Sequence, residues 1–108
     1  MRNEELLIRL TQTQGIAGYE KKVRELIEQE VRPYADELIV DPLGSLIAVK
    51  KGKGGPHSKK IMFAAHMDEI GFMVKKIEDD GRLLVCNVGW NWTASAYNTR
   101  VVFRNGIR

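Results

Sequence analysis

The chain has 108 residues, 44% hydrophobic and 29% charged, with no low-complexity tract, which places it among ordered globular chains and excludes disorder for most of its length. Its longest apolar run, Ile61 to Ala65, falls far short of the roughly 20 residues a membrane-spanning helix requires. A net charge of +3 permits an anionic partner without demanding one, so charge alone selects no function.

The opening Met1-Arg2-Asn3-Glu4-Glu5 carries acids where a secretory signal needs an uninterrupted apolar core. Asn3 followed by Glu4 and Glu5 reads as a cap with acids in the first turn, and Leu6, Leu7 and Leu10 recur at helical spacing. This predicts a helix of about three turns. Gly15-Ile16-Ala17-Gly18 breaks it. From Tyr19 onward Val23, Leu26, Ile27 and Val31 mark one face and Lys21, Lys22, Glu25 and Glu28 the other, which predicts a second amphipathic helix ending near Pro33. Each helix has an apolar stripe to cover, and the following residues supply strands. Glu37–Val40 and Ser45–Lys50 form a predicted hairpin around the turn residues Asp41-Pro42-Leu43-Gly44.

Residues 50–60 are a loop rich in Gly and Lys, and Ile61-Met62-Phe63-Ala64-Ala65 is then expected to be a strand buried on both faces. Beyond Gly71 no helical period returns. Residues 72–78, the turn Asp79-Asp80-Gly81 and residues 82–88 predict a second hairpin, and Arg100–Arg104 predicts a strand entering an Asn105-Gly106 turn. The shift near residues 70–74 is the candidate boundary between an α/β unit and an all-β unit. Only Ile107 and Arg108 follow that last turn, too few for a returning strand, so the chain is expected to be an N-terminal fragment of a longer protein.

The lone Cys86, among Leu83, Leu84 and Val85, reads as a buried, inert thiol in a reducing, cytoplasmic setting. The strongest site signal is His66-Met67-Asp68-Glu69 directly after the apolar run. In an extended chain residues i and i+2 share a face about 6.5–7 Å apart, so His66 and Asp68 project together from the segment's end. In α/β folds ligands gather outside the carboxyl ends of strands. Imidazole suits zinc or cobalt, and a neighbouring carboxylate orients the ring and raises its basicity. The competing reading is a polar strand end without metal. His57, in the Lys/Gly loop, reads as solvated. Lys50, Lys51, Lys53, Lys59 and Lys60, with Trp90, Trp92 and Tyr97 as stacking surfaces, leave open a weak nucleic-acid binder, although Gly52-Lys53-Gly54-Gly55 lacks the spacing of a phosphate-binding loop. A non-catalytic assembly fragment is the other alternative.

The stretches Gly15-Ile16-Ala17-Gly18-Tyr19-Glu20, Asp41-Pro42-Leu43-Gly44-Ser45-Leu46-Ile47-Ala48 and Ala64-Ala65-His66-Met67-Asp68-Glu69-Ile70-Gly71-Phe72 resemble the N-terminal third of the glutamyl/deblocking aminopeptidases that assemble into tetrahedral particles, the TET aminopeptidases, some of which are labelled endoglucanase M. The resemblance covers residues 4 to about 90. It implies an α/β catalytic domain of phosphorylase/aminopeptidase-like fold, begun by residues 1–72, and an inserted β-barrel dimerisation domain begun by residues 73–108. It implies a cytoplasmic metallo-aminopeptidase with two divalent ions, zinc or cobalt foremost, acting on peptides as a homo-oligomer between dimer and dodecamer, with neither membrane nor nucleic acid as partner.

By the same resemblance His66 is a metal ligand and Asp68 the catalytic-centre aspartate that holds its ring. The general base and remaining ligands lie beyond residue 108, so this chain alone is expected to be inactive. Glu69 is expected to serve the strand end or to support the site from behind its ligands rather than act as the base. Ser45 stands where asparagine is common, a departure expected to touch a turn and not the site, and the segment after Gly89 is only loosely similar.

Overall fold

A computed structural model describes residues 3–55, 57–90 and 93–105. Helix α1 spans Asn3–Gln12 and helix α2 spans Lys21–Val31. Asn3 lies inside α1 as its first described residue rather than ahead of it. The helices are joined by a half-buried ion pair in which Arg9 Nη1 donates to Glu30 Oε1 at 2.6 Å. Helix α2 supplies the buried apolar side chains among the described residues, Val23 at 4% and Leu26 at 9% exposure. They stand three positions apart on one helical face, and each contributes about 1.5–3 kcal/mol by leaving water. After Val31 the chain tightens into a 3-10 turn, Arg32–Tyr34, with Pro33 at its start, because proline has no N–H to extend the α-helical ladder.

Gly15, buried in the connection between the helices, packs under Val23 so closely that a Cβ there would stand 2.7 Å from Val23 Cγ1. Valine is stiff at χ1 and this one is enclosed, so it has little room to yield. Gly15→Ala is therefore expected to cost about 1–3 kcal/mol. Thermal unfolding checks this, with the midpoint falling by roughly 4–8 °C per kcal/mol for a domain this small.

Strands β1 (Glu37–Val40) and β2 (Leu46–Val49) pair antiparallel from Glu37 opposite Val49 to Val40 opposite Leu46, and β2 packs against α2. Asp41 closes their turn: its Oδ1 accepts from the N–H groups of Ser45 at 2.8 Å and Leu43 at 3.0 Å. The turn is fastened to α2 by Arg24, whose Nη1 donates to the Gly44 carbonyl at 3.1 Å. The Ser45 N–H holds the Asp41 carboxyl below the usual aspartate range. At the hairpin's other end Asp36 is lowered too, first by the Lys51 N–H and then by the Lys50 ammonium.

Both groups bind protons less readily folded than unfolded, so they stabilise the hairpin above the ordinary aspartate range. That contribution is lost as pH falls through their lowered folded values. Both are open to solvent, which keeps the effect small. Acid titration of the β1–β2 amide resonances is expected to show this loss, and Asp41→Ala to flatten it.

Strands β3 (Gly71–Ile77) and β4 (Leu83–Val88) form a second antiparallel hairpin, paired from Gly71 opposite Val88 to Ile77 opposite Leu83, with a bulge between Val74 and Lys76. Its turn is closed by the Glu78 N–H to the Arg82 carbonyl at 2.8 Å and the Gly81 N–H to the Glu78 carbonyl at 2.9 Å. A 3-10 turn, Thr93–Ala96, follows.

Two expected strands are corrected. Ile61–Ala65 forms no ladder among the described residues and is open to solvent, with Ile61 78% and Phe63 95% exposed. Residues 100–103 likewise form no strand. A strand exists only through its hydrogen-bonded neighbour, and no described segment forms a ladder with either one. Trp92 and Gly106 lie outside the described residues. Among the described residues no helix is long and apolar enough to cross a membrane.

Candidate active site

The pair chosen from the sequence is in contact. His66 Nδ1 lies 2.9 Å from Asp68 Oδ1 and 3.0 Å from the Asp68 carbonyl oxygen. A backbone carbonyl can only accept, so the contact suits the neutral form protonated at Nδ1, in which Nε2 carries the lone pair. This is the tautomer a metal ion takes at Nε2. The His66 side chain is 86% exposed and that of Asp68 38%, so the imidazole stands at the surface while its carboxylate partner is partly covered.

Residues 67–71 are docked on the α1–α2 connection. The Glu69 N–H donates to the Gly15 carbonyl at 2.8 Å, the Gly15 N–H donates to Glu69 Oε1 at 2.8 Å, and Ile16 and Glu69 form an isolated parallel bridge. Gly71 lies so close to Ile16 that a Cβ there would displace the end of the Ile16 side chain. The sequence pointed to a strand-end or supporting role for Glu69 but not to its partner, which is 54 residues away with no spacing signal to reveal it.

A cleft of about 230 Å³ is lined by Glu20, Leu43–Leu46 and Ala65–Asp68, so parts of all three motif stretches meet beside His66. Glu20 lines it, but its Oε1 accepts from the Gly18 N–H at 2.7 Å. Ser45 also lines it, which corrects the expectation that its departure touches only a turn: folding the hairpin against α2 carries that turn to the cleft. A larger hollow of about 880 Å³ shares Glu20, Leu43 and Gly44 with this cleft and includes neither His66 nor Asp68. One of its walls is tied by Arg104, whose guanidinium lies 4.6 Å from the centre of the Tyr19 ring. His57 and Cys86 do not line the cleft. Among the described residues no three His, Cys, Asp or Glu groups gather as a metal would require.

Residues 44–107 match the family described as M42 glutamyl aminopeptidase. The chain belongs to this family. A provisionally named aminopeptidase of Acetivibrio thermocellus is 48% identical over 103 residues, which cover 95% of this M42 chain and 30% of that protein. The lysyl aminopeptidase of Pyrococcus furiosus is 41% identical over 86 residues, 79% of this chain and 24% of its own length. Among solved structures, aminopeptidase APDkam598 from Desulfurococcus kamchatkensis superposes with a TM-score of 0.76 at 40% identity, covering 82% of this chain and 24% of that one. PhTET1-12s, a dodecamer in its asymmetric unit, gives 0.68 at 40% identity over 83% of this chain and 26% of its own. The M42 chain therefore spans less than a third of the length of these relatives. The family read from the three motif stretches is the correct one, and the two helices and two antiparallel hairpins match TET aminopeptidase structures.

Proposed function

We propose that this chain is the N-terminal part of a two-metal aminopeptidase that removes N-terminal residues from peptides, with His66 as a metal ligand through Nε2 and Asp68 as the residue that orients its ring. The observation that carries this reading is the contact of His66 Nδ1 with Asp68 Oδ1 and with the Asp68 backbone carbonyl, beside a cleft built from all three motif stretches. The donor chemistry fits one corner of a metal site, an imidazole with a carboxylate behind it. It does not fit a whole one, since a catalytic zinc needs three protein ligands and no such group gathers among the described residues.

Bound divalent ions, zinc or cobalt, would lower the pKa of a water and stabilise an oxyanion. This chain's own residues hold the imidazole and shape one side of the cleft. Glu69 is not the base in this reading, because its carboxylate accepts from the Gly15 N–H. The activity then belongs to the complete polypeptide, and the 108 residues alone are inactive. Residues 1–72 begin the catalytic domain and residues 73–108 the inserted dimerisation domain. Exposed apolar side chains along β3 and β4, among them Met73, Ile77 and Leu84, support a packing partner for that hairpin. A homo-oligomer is supported by the dodecameric neighbour.

The test is hydrolysis of aminoacyl p-nitroanilides. The complete polypeptide is expected to release product with zinc or cobalt, to lose activity with a chelator and to regain it when metal is restored. The 108-residue chain alone is expected to release none. Full activity that survives chelation contradicts the proposal.

A further inference from the structure

We propose that Glu69 is a positioning residue that sets the orientation of His66 by locking the peptide unit between Asp68 and Glu69 onto Gly15. This rests on the reading of His66 as the working imidazole. One planar peptide group is bonded at both of its ends: its carbonyl, from Asp68, lies 3.0 Å from His66 Nδ1, and its N–H, from Glu69, donates to the Gly15 carbonyl at 2.8 Å. Rotation of that plane would withdraw the carbonyl from the ring. A single N–H to carbonyl bond leaves the plane free to pivot about it.

The second bond, from the Gly15 N–H to Glu69 Oε1 at 2.8 Å, closes a two-point clamp and removes that freedom. The platform is itself fixed, since Gly15 is pinned under the buried Val23 and Ile16 against Gly71. The geometry therefore connects the packing of α2 to the ring nitrogen left bare, through a carboxylate that touches neither cleft nor ring. What the clamp requires of Glu69 is an acceptor oxygen at glutamate's reach, not a charge.

That requirement separates two variants of the 108-residue chain. Glu69→Gln keeps the reach and loses the charge, whereas Glu69→Asp keeps the charge and is one methylene too short. Both retain the Glu69 backbone bond to Gly15, so the docking of residues 67–71 survives. The measurements are hydrogen exchange at the Gly15 amide and the tautomer of His66 from long-range proton–nitrogen spectra, both without metal. Glu69→Asp and Glu69→Ala are expected to speed Gly15 exchange about tenfold and to lower the ratio of Nδ1–H to Nε2–H about fivefold, the effect of losing one hydrogen bond. Glu69→Gln is expected to match the parent in both.

A freed Gly15 amide with an unchanged His66 tautomer would make Glu69 merely structural and overturn the proposal. So would an unchanged Gly15 amide in Glu69→Asp, or a glutamine variant that behaves like the aspartate one. Because no metal is used, a His66 that takes up no zinc or cobalt sinks the peptidase reading and leaves this result standing on its own.

Discussion

Replacing His66 with alanine in the complete polypeptide is expected to lower aminoacyl-anilide hydrolysis by on the order of 10³-fold or more, because on the proposed reading the water that a bound metal would activate is lost with its ligand. In the 108-residue chain without metal, the same substitution is expected to change stability by less than about 0.5 kcal/mol, since the imidazole there is 86% exposed and contributes almost nothing to packing. Oligomeric assembly of the complete polypeptide is expected to be largely unaffected, since the proposed dimerisation segment begins only at residue 73. The separation of the two readouts gives the prediction its force. Steady-state hydrolysis by the complete polypeptide and thermal unfolding of the 108-residue chain check it, and activity retained in the variant would refute the assignment of His66.

The second large effect concerns Asp68, which touches the ring twice, through Oδ1 and through its backbone carbonyl. Asp68→Ala removes only the carboxylate and is expected to cost about 10–100-fold in metal affinity, as loss of an orienting partner behind a histidine ligand commonly does. Asp68→Asn keeps an acceptor oxygen for Nδ1–H and forfeits the negative charge that raises ring basicity, so it is expected to fall between alanine and the parent. Competition with a chromophoric chelator measures all three. Equal affinity in Asp68→Ala would show that the carboxylate does not orient the ring.

Local features were legible in the sequence because their causes are local. The helical period of Val23, Leu26 and Ile27 found α2, and the turn chemistry of Asp41-Pro42-Leu43-Gly44 and Asp79-Asp80-Gly81 found both hairpins to within one or two residues at their ends. The His66–Asp68 contact was legible too, since two positions along an extended segment share a side whatever lies around them. Features that depend on distant partners were not. Ile61–Ala65 has the composition of a central strand, but composition does not supply the neighbouring strand that makes a ladder, and among the described residues none does.

The bonds between Gly15 and Glu69 span 54 residues and involve a glycine that reads as a helix breaker and a glutamate that reads only as part of a strand end or of the nearby site. Neither residue type announces the other. Placing Ser45 at the cleft likewise required knowing that Arg24 draws the hairpin turn onto α2.

The central claim is that Nε2 of His66 is a metal-binding nitrogen. A crystal of the complete polypeptide grown with zinc, with diffraction recorded at the zinc absorption edge, addresses it most directly. The account predicts an anomalous peak about 2.0–2.1 Å from His66 Nε2, with Nδ1 still bonded to Asp68. Zinc bound elsewhere with Nε2 bare, or zinc on Nδ1 with Asp68 displaced, would contradict it.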